Sequence, residues 1–454
     1  MEYKNIKKIC YILIVSFLLT TIFIPLNVEG RLKRNWSRNY GGEFHDIAHE
    51  VLLCEDGGYL LVGHSNSLGT GKRDQVFLVK TNSNGYTEWM KDIGGEFSDK
   101  GFAATNTEDG GFAIAGSTTS YGGRDNEDFY LIKTDSEGNV EWENNFGGNH
   151  NEIAYDVIQT SDGGYLLGGT TVSFGYQGTD WWIVKTDEEG EKEWSRYYGG
   201  RQDEELKSVM ETEDGNFVLG GSTASFADPG FGLWALEIDE ENIDEEKEGD
   251  EQTDLQGVEL EKDAIIWETN IGGYLDDKIH DMIITSDGGF AAVGETSSYT
   301  DFGSNFWLVK MDSEGNEEWN NSYGGDFYEV AYSLVETLDE TFLMAGYETS
   351  YGGVQEDIFL VEADEDGEEL FRYDTDAERT DIAYSIVVVD EDTFAVAGAT
   401  RSYGAGGYSY YLMEFGRPSD ISMPFLVGAV GIGVVATYAI IKIIKKYGYK
   451  IKPS

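Results

Sequence analysis

The sequence predicts an all-β fold, a seven-bladed β-propeller of four-stranded antiparallel blades, from three observations. A large aromatic residue recurs seven times along the 454 residues. Each interval holds four short runs rich in β-branched and aromatic residues, separated by glycine-bearing turns. No helical periodicity of useful length appears between the two apolar ends of the chain. The recurring aromatics, at spacings of 53, 53, 52, 73, 52 and 52 residues, are Trp36, Trp89, Trp142, Trp194, Trp267, Trp319 and Phe371.

The four strands of a unit, named A to D from the axis outward, indicate how the ring closes. In the third unit they are AYDVIQT, YLLGGTT, WWIVKTD and EWSRYYGG. The chain begins with a D-type strand, NWSRNYGG, and ends with a C-type strand, SYYLMEF. The N-terminal strand is therefore expected to supply strand D of the last blade, which removes the exposed sheet edges. One unit has too little core to stand alone, so neighbouring blades must stabilise one another.

This strand order defines two faces. The A–B and C–D links are tight hairpins on one side, here called the hairpin face. The B–C and D–A links lie on the other side, here called the loop face. The propeller is predicted to span residues 31–416 and to carry an acidic insert, residues 239–263, in the C–D hairpin of the fourth blade. With 13 acidic residues in 25, this insert is expected to be a solvated loop.

The two ends of the chain are predicted to contact a membrane. Residues 1–30 combine a basic start with an apolar run, the pattern of a signal peptide or an N-terminal anchor. Residues 423–444 are apolar and long enough to cross a bilayer, after a short linker at 417–422. The basic tail at 445–454 predicts a cytoplasmic C-terminus. We therefore expect a single-pass protein of the cell membrane with an extracellular propeller whose hairpin face lies towards the membrane.

Composition excludes several classes of function. A net charge of −53 argues against nucleic acid as a partner, because nucleic-acid binding needs a basic surface. Two cysteines exclude a disulfide scaffold and a multi-cysteine zinc module. The five histidines are interpreted as not recurring at a common repeat position, and no metalloprotease or serine-hydrolase motif is present. The sequence therefore predicts a protein that is not an enzyme, and it indicates no cofactor other than a possible Ca²⁺.

The repeat resembles the β-propeller repeats of secreted and surface proteins of bacteria and archaea, the SBBP-like repeats. Their signature, a YGG, an acidic stretch, a DGGY hairpin, a G-x-T-x-S loop and a Trp-ended hairpin, stands here as YGGRQDEELKSVMETEDGNFVLGGSTAS and its relatives. The hairpin KTDSEGNVEW is also similar to hairpins of quinoprotein propellers. The resemblance covers about 385 residues. It implies the fold and a surface location, but it specifies no ligand, since propellers host many functions.

One position is acidic in every blade, immediately before strand A. Seven carboxylates around one axis would repel each other and favour a cation such as Ca²⁺. The alternative is structural, with each carboxylate accepting hydrogen bonds from the glycine-rich loops. The candidate metal ring consists of Asp46, Asp99, Glu152, Glu204, Asp277, Glu329 and Asp381.

A second repeated position lies in the B–C loops. Aromatics beside flexible loops on one face suit a sugar or a peptide, and the alternative is packing between blades. The first blade has Leu68 here, and the candidate ligand-binding residues are Tyr121, Phe174, Phe226, Tyr299, Tyr351 and Tyr403.

These observations favour an extracellular binding module for a protein, a glycan or a component of the cell envelope. Two alternatives remain open at this point. One is a hydrolase that acts on polysaccharide at the mouth of the channel, using paired carboxylates. The other is a structural protein of the envelope with no discrete ligand.

Overall fold

The computed structural model describes residues 32–417, except 68–72, 123–125, 228–229, 241–242, 244–263, 301, 326, 350–354, 376–378 and 404–405. These residues form 28 strands in seven four-stranded antiparallel sheets. Six sheets are built from four consecutive strands each, and the seventh joins the two ends of the described chain. The predicted seven-bladed β-propeller is therefore confirmed.

The inner two strands of each blade are joined by A–B hairpins. The A strands are β2 (Asp46–Leu53), β6 (Asp99–Asn106), β10 (Glu152–Gln159), β14 (Glu204–Glu211), β18 (Asp277–Ile284), β22 (Glu329–Glu336) and β26 (Asp381–Asp390). The B strands are β3 (Tyr59–Ser65), β7 (Phe112–Thr118), β11 (Tyr165–Thr171), β15 (Phe217–Thr223), β19 (Phe290–Thr296), β23 (Phe342–Thr349) and β27 (Thr393–Thr400).

The outer two strands complete each blade. The C strands are β4 (Gln75–Thr81), β8 (Asp128–Thr134), β12 (Asp180–Thr186), β16 (Gly232–Ile238), β20 (Asn305–Met311), β24 (Glu356–Ala363) and β28 (Ser409–Gly416). The D strands are β5 (Thr87–Ile93), β9 (Val140–Phe146), β13 (Lys192–Tyr198), β17 (Ile265–Ile271), β21 (Glu317–Tyr323), β25 (Glu369–Asp374) and, for the last blade, β1 (Lys33–Tyr40).

The ring closes as the strand order predicts. Strand β1 pairs antiparallel with β28, from Lys33 opposite Gly416 to Tyr40 opposite Tyr410. The Tyr40 hydroxyl also donates a hydrogen bond of 2.6 Å to the carbonyl of Gly85 in the first blade. The N-terminal strand therefore completes the last blade and fastens it to the first.

The recurring tryptophans stabilise the contacts between blades. The Trp142 ring of the second blade meets Tyr165 on strand B of the third, with centroids 5.7 Å apart in an edge arrangement. It also covers Gly190 in the C–D turn of that blade, where a Cβ atom would approach the ring within 2.5 Å. Gly190 has a φ of +80°, so the turn needs glycine for its backbone as well as for the tryptophan.

Four blades bury a lysine near the end of strand C. Lys185 is fully buried, with its Nζ 2.6 Å from Asp162 of the A–B turn and 3.2 Å from Glu193 of strand D. Burial alone would raise the pKa of the equivalent turn residue Asp109, but hydrogen bonds from Lys133 and its neighbours outweigh burial and lower that pKa to about 2. Each of these lysines therefore joins strand C to strand D and to the A–B turn of its blade at the hairpin face.

The predicted insert falls between β16 and β17, the C and D strands of the fourth blade, as expected. Most of the insert lies outside the described residues, as do the predicted membrane segments 1–30 and 423–444 and the tail at 445–454. Among the residues that the structure describes, no helix is long and apolar enough to cross a membrane.

Candidate functional site

The seven repeated carboxylates start the A strands at the loop face, and each is buried in its own blade. Asp99 accepts hydrogen bonds from the amide of Gly95 at 2.7 Å, from Thr118 at 2.5 Å and from Ser120 at 2.7 Å. The first donor belongs to the D–A loop and the other two to the end of strand B and the B–C loop. In the first five blades, the carboxylate thus joins the D–A loop to the B–C loop.

The same pattern holds with glutamate in the third and fourth blades. Glu152 accepts from the amide of Gly148 at 2.8 Å and from Thr171 at 3.0 Å. The wall of the central channel is formed by residues further along strand A, not by the carboxylates. Over the residues described, no group of three or more His, Cys, Asp or Glu side chains is placed to hold a metal ion. Cation binding by the ring stays a prediction.

The repeated B–C aromatics lie on the loop face and pack within their own blades. Phe174 contacts Trp182 of strand C at 5.0 Å between ring centroids, and Tyr403 stacks on Tyr411 at 5.4 Å. Their outer edges remain available, since Tyr121 is 44% and Tyr403 52% exposed. Phe174 also packs against a core cluster that contains residues of both the second and the third blade, so packing between blades and ligand binding both stay predictions for this position. Leu68 and Tyr351 lie outside the described residues.

The most exposed aromatics of the loop face concentrate at the fifth and sixth blades. Tyr274, Phe302 and Tyr328, which are 83%, 75% and 58% exposed, form the aromatic patch together with the neighbouring Leu275 and Tyr299.

Hydrogen bonds hold the three loops of the patch together. The Leu275 amide donates to Ser298 at 2.8 Å, and the Ser304 amide donates to the Phe327 carbonyl at 3.1 Å. The three loops that carry the patch are therefore joined to one another by hydrogen bonds.

A closed girdle of side chains lines the central channel, one from each A strand. It consists of His49, Phe102, Tyr155, Lys207, His280, Tyr332 and Tyr384. Each girdle residue occupies a β-bulge, where the pairing of strands A and B skips one residue. Neighbouring rings in the girdle lie close together, with His49 to Phe102 and Tyr332 to Tyr384 both at 5.0 Å. The bulge thus turns seven side chains towards the axis.

Lys207 interrupts the aromatic girdle with a charge. Its Nζ lies 3.7 Å from the centroid of Tyr155 and 3.4 Å from Glu205, which is also 3.3 Å from Lys278. Burial lowers the pKa of Lys207, although Glu205 opposes this shift. Burial and the nearby Lys207 lower the pKa of His280 to about 3, so this imidazole is neutral at physiological pH.

A polar layer lies next to the girdle in a cavity of about 440 Å³. Its side chains reach the backbone of the following blade, as when Asp156 accepts from the Val209 amide and Asp281 from the Leu334 amide, both at 2.8 Å. The Ser208 hydroxyl likewise accepts a hydrogen bond from the Met282 amide at 2.9 Å. These bonds satisfy amides beside the bulges and join neighbouring blades around the axis.

Burial between the blades raises the pKa values of the carboxyl groups in this layer. Burial, together with the nearby charges of Asp281 and Asp156, raises the pKa of Glu50 to about 8, although a hydrogen bond from Ser385 opposes this shift. Burial also raises the pKa of Asp281 to about 7 and that of Asp156 to about 6. The channel therefore favours protonated carboxyl groups.

We predict that the protein loses stability as pH rises from about 5 to about 8.5. The folded-state pKa of Glu50 lies above the ordinary value of about 4.3, so folding favours the protonated form, and this contribution is lost as pH rises towards 8. Glu50→Gln should be more stable than the wild type at pH 8.5 by about 1–3 kcal/mol and similar to it at pH 5. Urea denaturation at both pH values measures this.

The matched control is Glu137→Gln, which alters an exposed carboxylate and should leave the pH dependence unchanged. A Glu50→Gln protein with the same pH dependence as the wild type would contradict the assignment.

The residues that line the channel show that the interpretation of the histidines has to be corrected. His49 and His280 occupy the same repeat position, three residues after Asp46 and Asp277, so the prediction that no two histidines share a position was wrong. The signal was available, because that position reads His, Phe, Tyr, Lys, His, Tyr and Tyr through the seven blades. Departures from the repeat concentrate in the channel, not on the loop face.

Comparisons with known proteins show the fold alone. No family model matches the chain, and no curated protein matches it. The WD40 domain of Pan2 from Neurospora crassa is similar with a TM-score of 0.48 and 9% identity, covering 86% of this chain and 96% of that one.

Two further solved structures have comparable values. YCF48 bound to D1 peptide has a TM-score of 0.45 and 10% identity, with 85% of this chain and 99% of that one covered. A puromycin hydrolase has a TM-score of 0.46 and 12% identity, with 82% and 52% covered. Such neighbours include enzymes and non-enzymes, so they decide nothing about activity.

Proposed function

We propose that the chain is a binding module of the cell surface, anchored by residues 423–444 in the membrane, with its loop face turned outward. Its partner would be a protein, a glycan or another component of the cell envelope. The apolar and basic pattern of the C-terminal residues supports the anchor and the cytoplasmic tail. β-Propellers commonly serve as interaction platforms, although the fold alone does not identify a function.

The observation that carries this proposal is the aromatic patch. Four of its members are more than half exposed: Tyr274, Leu275, Phe302 and Tyr328. Exposed aromatics that form one surface are typical of binding sites, because their rings bury a large area at a low cost in side-chain entropy. The hydrogen-bonded loops beneath them hold this surface in one arrangement.

The test uses residues 31–420, which contain all 28 strands, against arrays of glycans and surface proteins with and without Ca²⁺. The double variant Tyr274→Ser with Phe302→Ser should lose at least tenfold in affinity for any ligand found. The control Tyr86→Ser removes a ring that is 60% exposed in a C–D turn on the hairpin face, and it should bind normally. The proposal would be contradicted if the double variant bound the ligand as tightly as the Tyr86→Ser control, or if the fragment turned over a polysaccharide.

A further inference from the structure

The hairpin face carries an apolar opening at the end of the channel. Here, a cavity of about 460 Å³ is lined by the last residues of four A strands, in the first, fifth, sixth and seventh blades. We call this lining the collar. Its partly or fully exposed aliphatic members are Leu52, Leu53, Ile283, Ile284, Val335, Val387 and Val388, and Glu336 also lines it. All of these aliphatic side chains except Ile284 pack partly against the blade cores, and their exposed parts remain open to water at the cavity.

The chain leaves the propeller beside this collar. The Arg417 amide donates a 2.7 Å hydrogen bond to the carbonyl of Asp392, in the A–B turn of the seventh blade. Its guanidinium lies 3.2 Å from Asp339, in the A–B turn of the sixth blade, and it also bonds Glu362. These contacts draw the exit from the outer strand C inward, to the turns that follow Val335 and Val388.

The residues after Arg417 are able to reach the collar. Strand C lies two inter-strand spacings, roughly 10 Å, outside strand A. An extended stretch of four residues would span up to about 13 Å, which is long enough for Ile421 to reach the edge of the collar. The following sequence, ISMPFL at 421–426, is apolar and carries no charge. Leu338, which is 73% exposed, lies in the sixth-blade turn beside the exit.

Charge disfavours a second copy of the chain or an anionic lipid surface as the occupant of the collar. Every A–B turn around it carries at least one Asp or Glu. A second copy seated face to face would bring two such acidic rims together, and an anionic lipid surface would meet the same repulsion. An uncharged segment of the same chain meets none, and its short tether keeps it at a high effective concentration.

We propose that the collar is a docking site for residues 421–426 of the same chain. This rests on the proposed function, because residues 423–426 of the docked segment are the first residues of the proposed anchor, and docking would leave residues 427–444 to cross the membrane. Docking would hold the hairpin face over the membrane and so direct the aromatic patch outward.

The experiment uses the full chain in cell membranes with the photo-crosslinker p-benzoylphenylalanine in place of Ile284. Irradiation should join this position to a peptide within 418–430 of the same molecule, identified by mass spectrometry of the monomer band. The control places the crosslinker at Glu189, an exposed C–D turn residue of the third blade on the same face, and should give no such product. Ile421→Asp should reduce the crosslinked yield at least fivefold.

Fractionation of the same cells separates failure of this inference from failure of the proposed function. Membrane-bound protein whose Ile284 position crosslinks to lipid, to another protein, to a second copy or to nothing would overturn the docking site and leave the anchor intact. Soluble protein that still gives the intramolecular product would overturn the anchor and support the docking site.

Discussion

A chain that begins at Glu43 should fail to form a stable ring, whereas a chain that begins at Arg31 should keep the stability of the complete propeller. The first truncation removes β1 and leaves β28 as an unpaired edge in the last blade. It also removes Tyr40, which is 6% exposed, and Trp36, whose ring meets Tyr59 of the first blade at 6.0 Å. Loss of one buried aromatic costs about 3–5 kcal/mol, so the combined cost should exceed about 5 kcal/mol.

Such a loss is comparable to the whole stability of a typical domain. Urea denaturation followed by tryptophan fluorescence measures it, and the chain that begins at Arg31 is the matched control because it retains every strand. Equal midpoints and equal slopes for the two truncated chains would show that the ring closes without β1, contrary to the pairing with β28.

The fold could be predicted because the same sequence pattern is repeated in every blade. Seven copies of one spacing determine the number of blades, and a lone D-type strand at the start requires a C-type strand at the end. The recurring tryptophans serve this repeated packing, since Trp142 contacts the next blade. The lysine pairs were not predicted, although a Lys in strand C and an Asp in the preceding hairpin recur in four blades.

The channel could not be predicted in the same way, because it is where the repeat varies. Histidine and tyrosine recur at the girdle position, but Phe102 and Lys207 differ from them, so no single residue type marks the girdle in all seven blades. The approach of these side chains depends on a bulge in each A strand and on closure of the ring, which only the assembled structure provides. The carboxylates, in contrast, recur in every blade, and in the first five blades each accepts hydrogen bonds from the same two loops.

The second large effect is the loss of stability that we expect for Asp99→Ala. The carboxylate is fully buried and accepts three hydrogen bonds, from Gly95, Thr118 and Ser120. Alanine would remove the acceptor of all three donors. An unsatisfied buried group costs about 1–3 kcal/mol, which applies in full to the buried Thr118 and in part to the more exposed Gly95 and Ser120. We expect a total loss of about 3–5 kcal/mol, and a smaller loss for Asp99→Asn, which keeps an acceptor oxygen. Thermal or urea denaturation measures both variants.

The same variants separate the structural role of the carboxylates from the predicted cation ring. If each carboxylate acts within its own blade, Asp99→Ala should lose the same free energy of unfolding with and without millimolar Ca²⁺. If the ring binds Ca²⁺, the ion should stabilise the wild type by mass action, and Asp99→Ala should weaken that stabilisation. Glu96→Ala is the control, because it removes an exposed carboxylate from the same loop and leaves no buried donor unpaired. Since Asp99 already accepts three donors within 2.7 Å, the structural outcome is the one we expect.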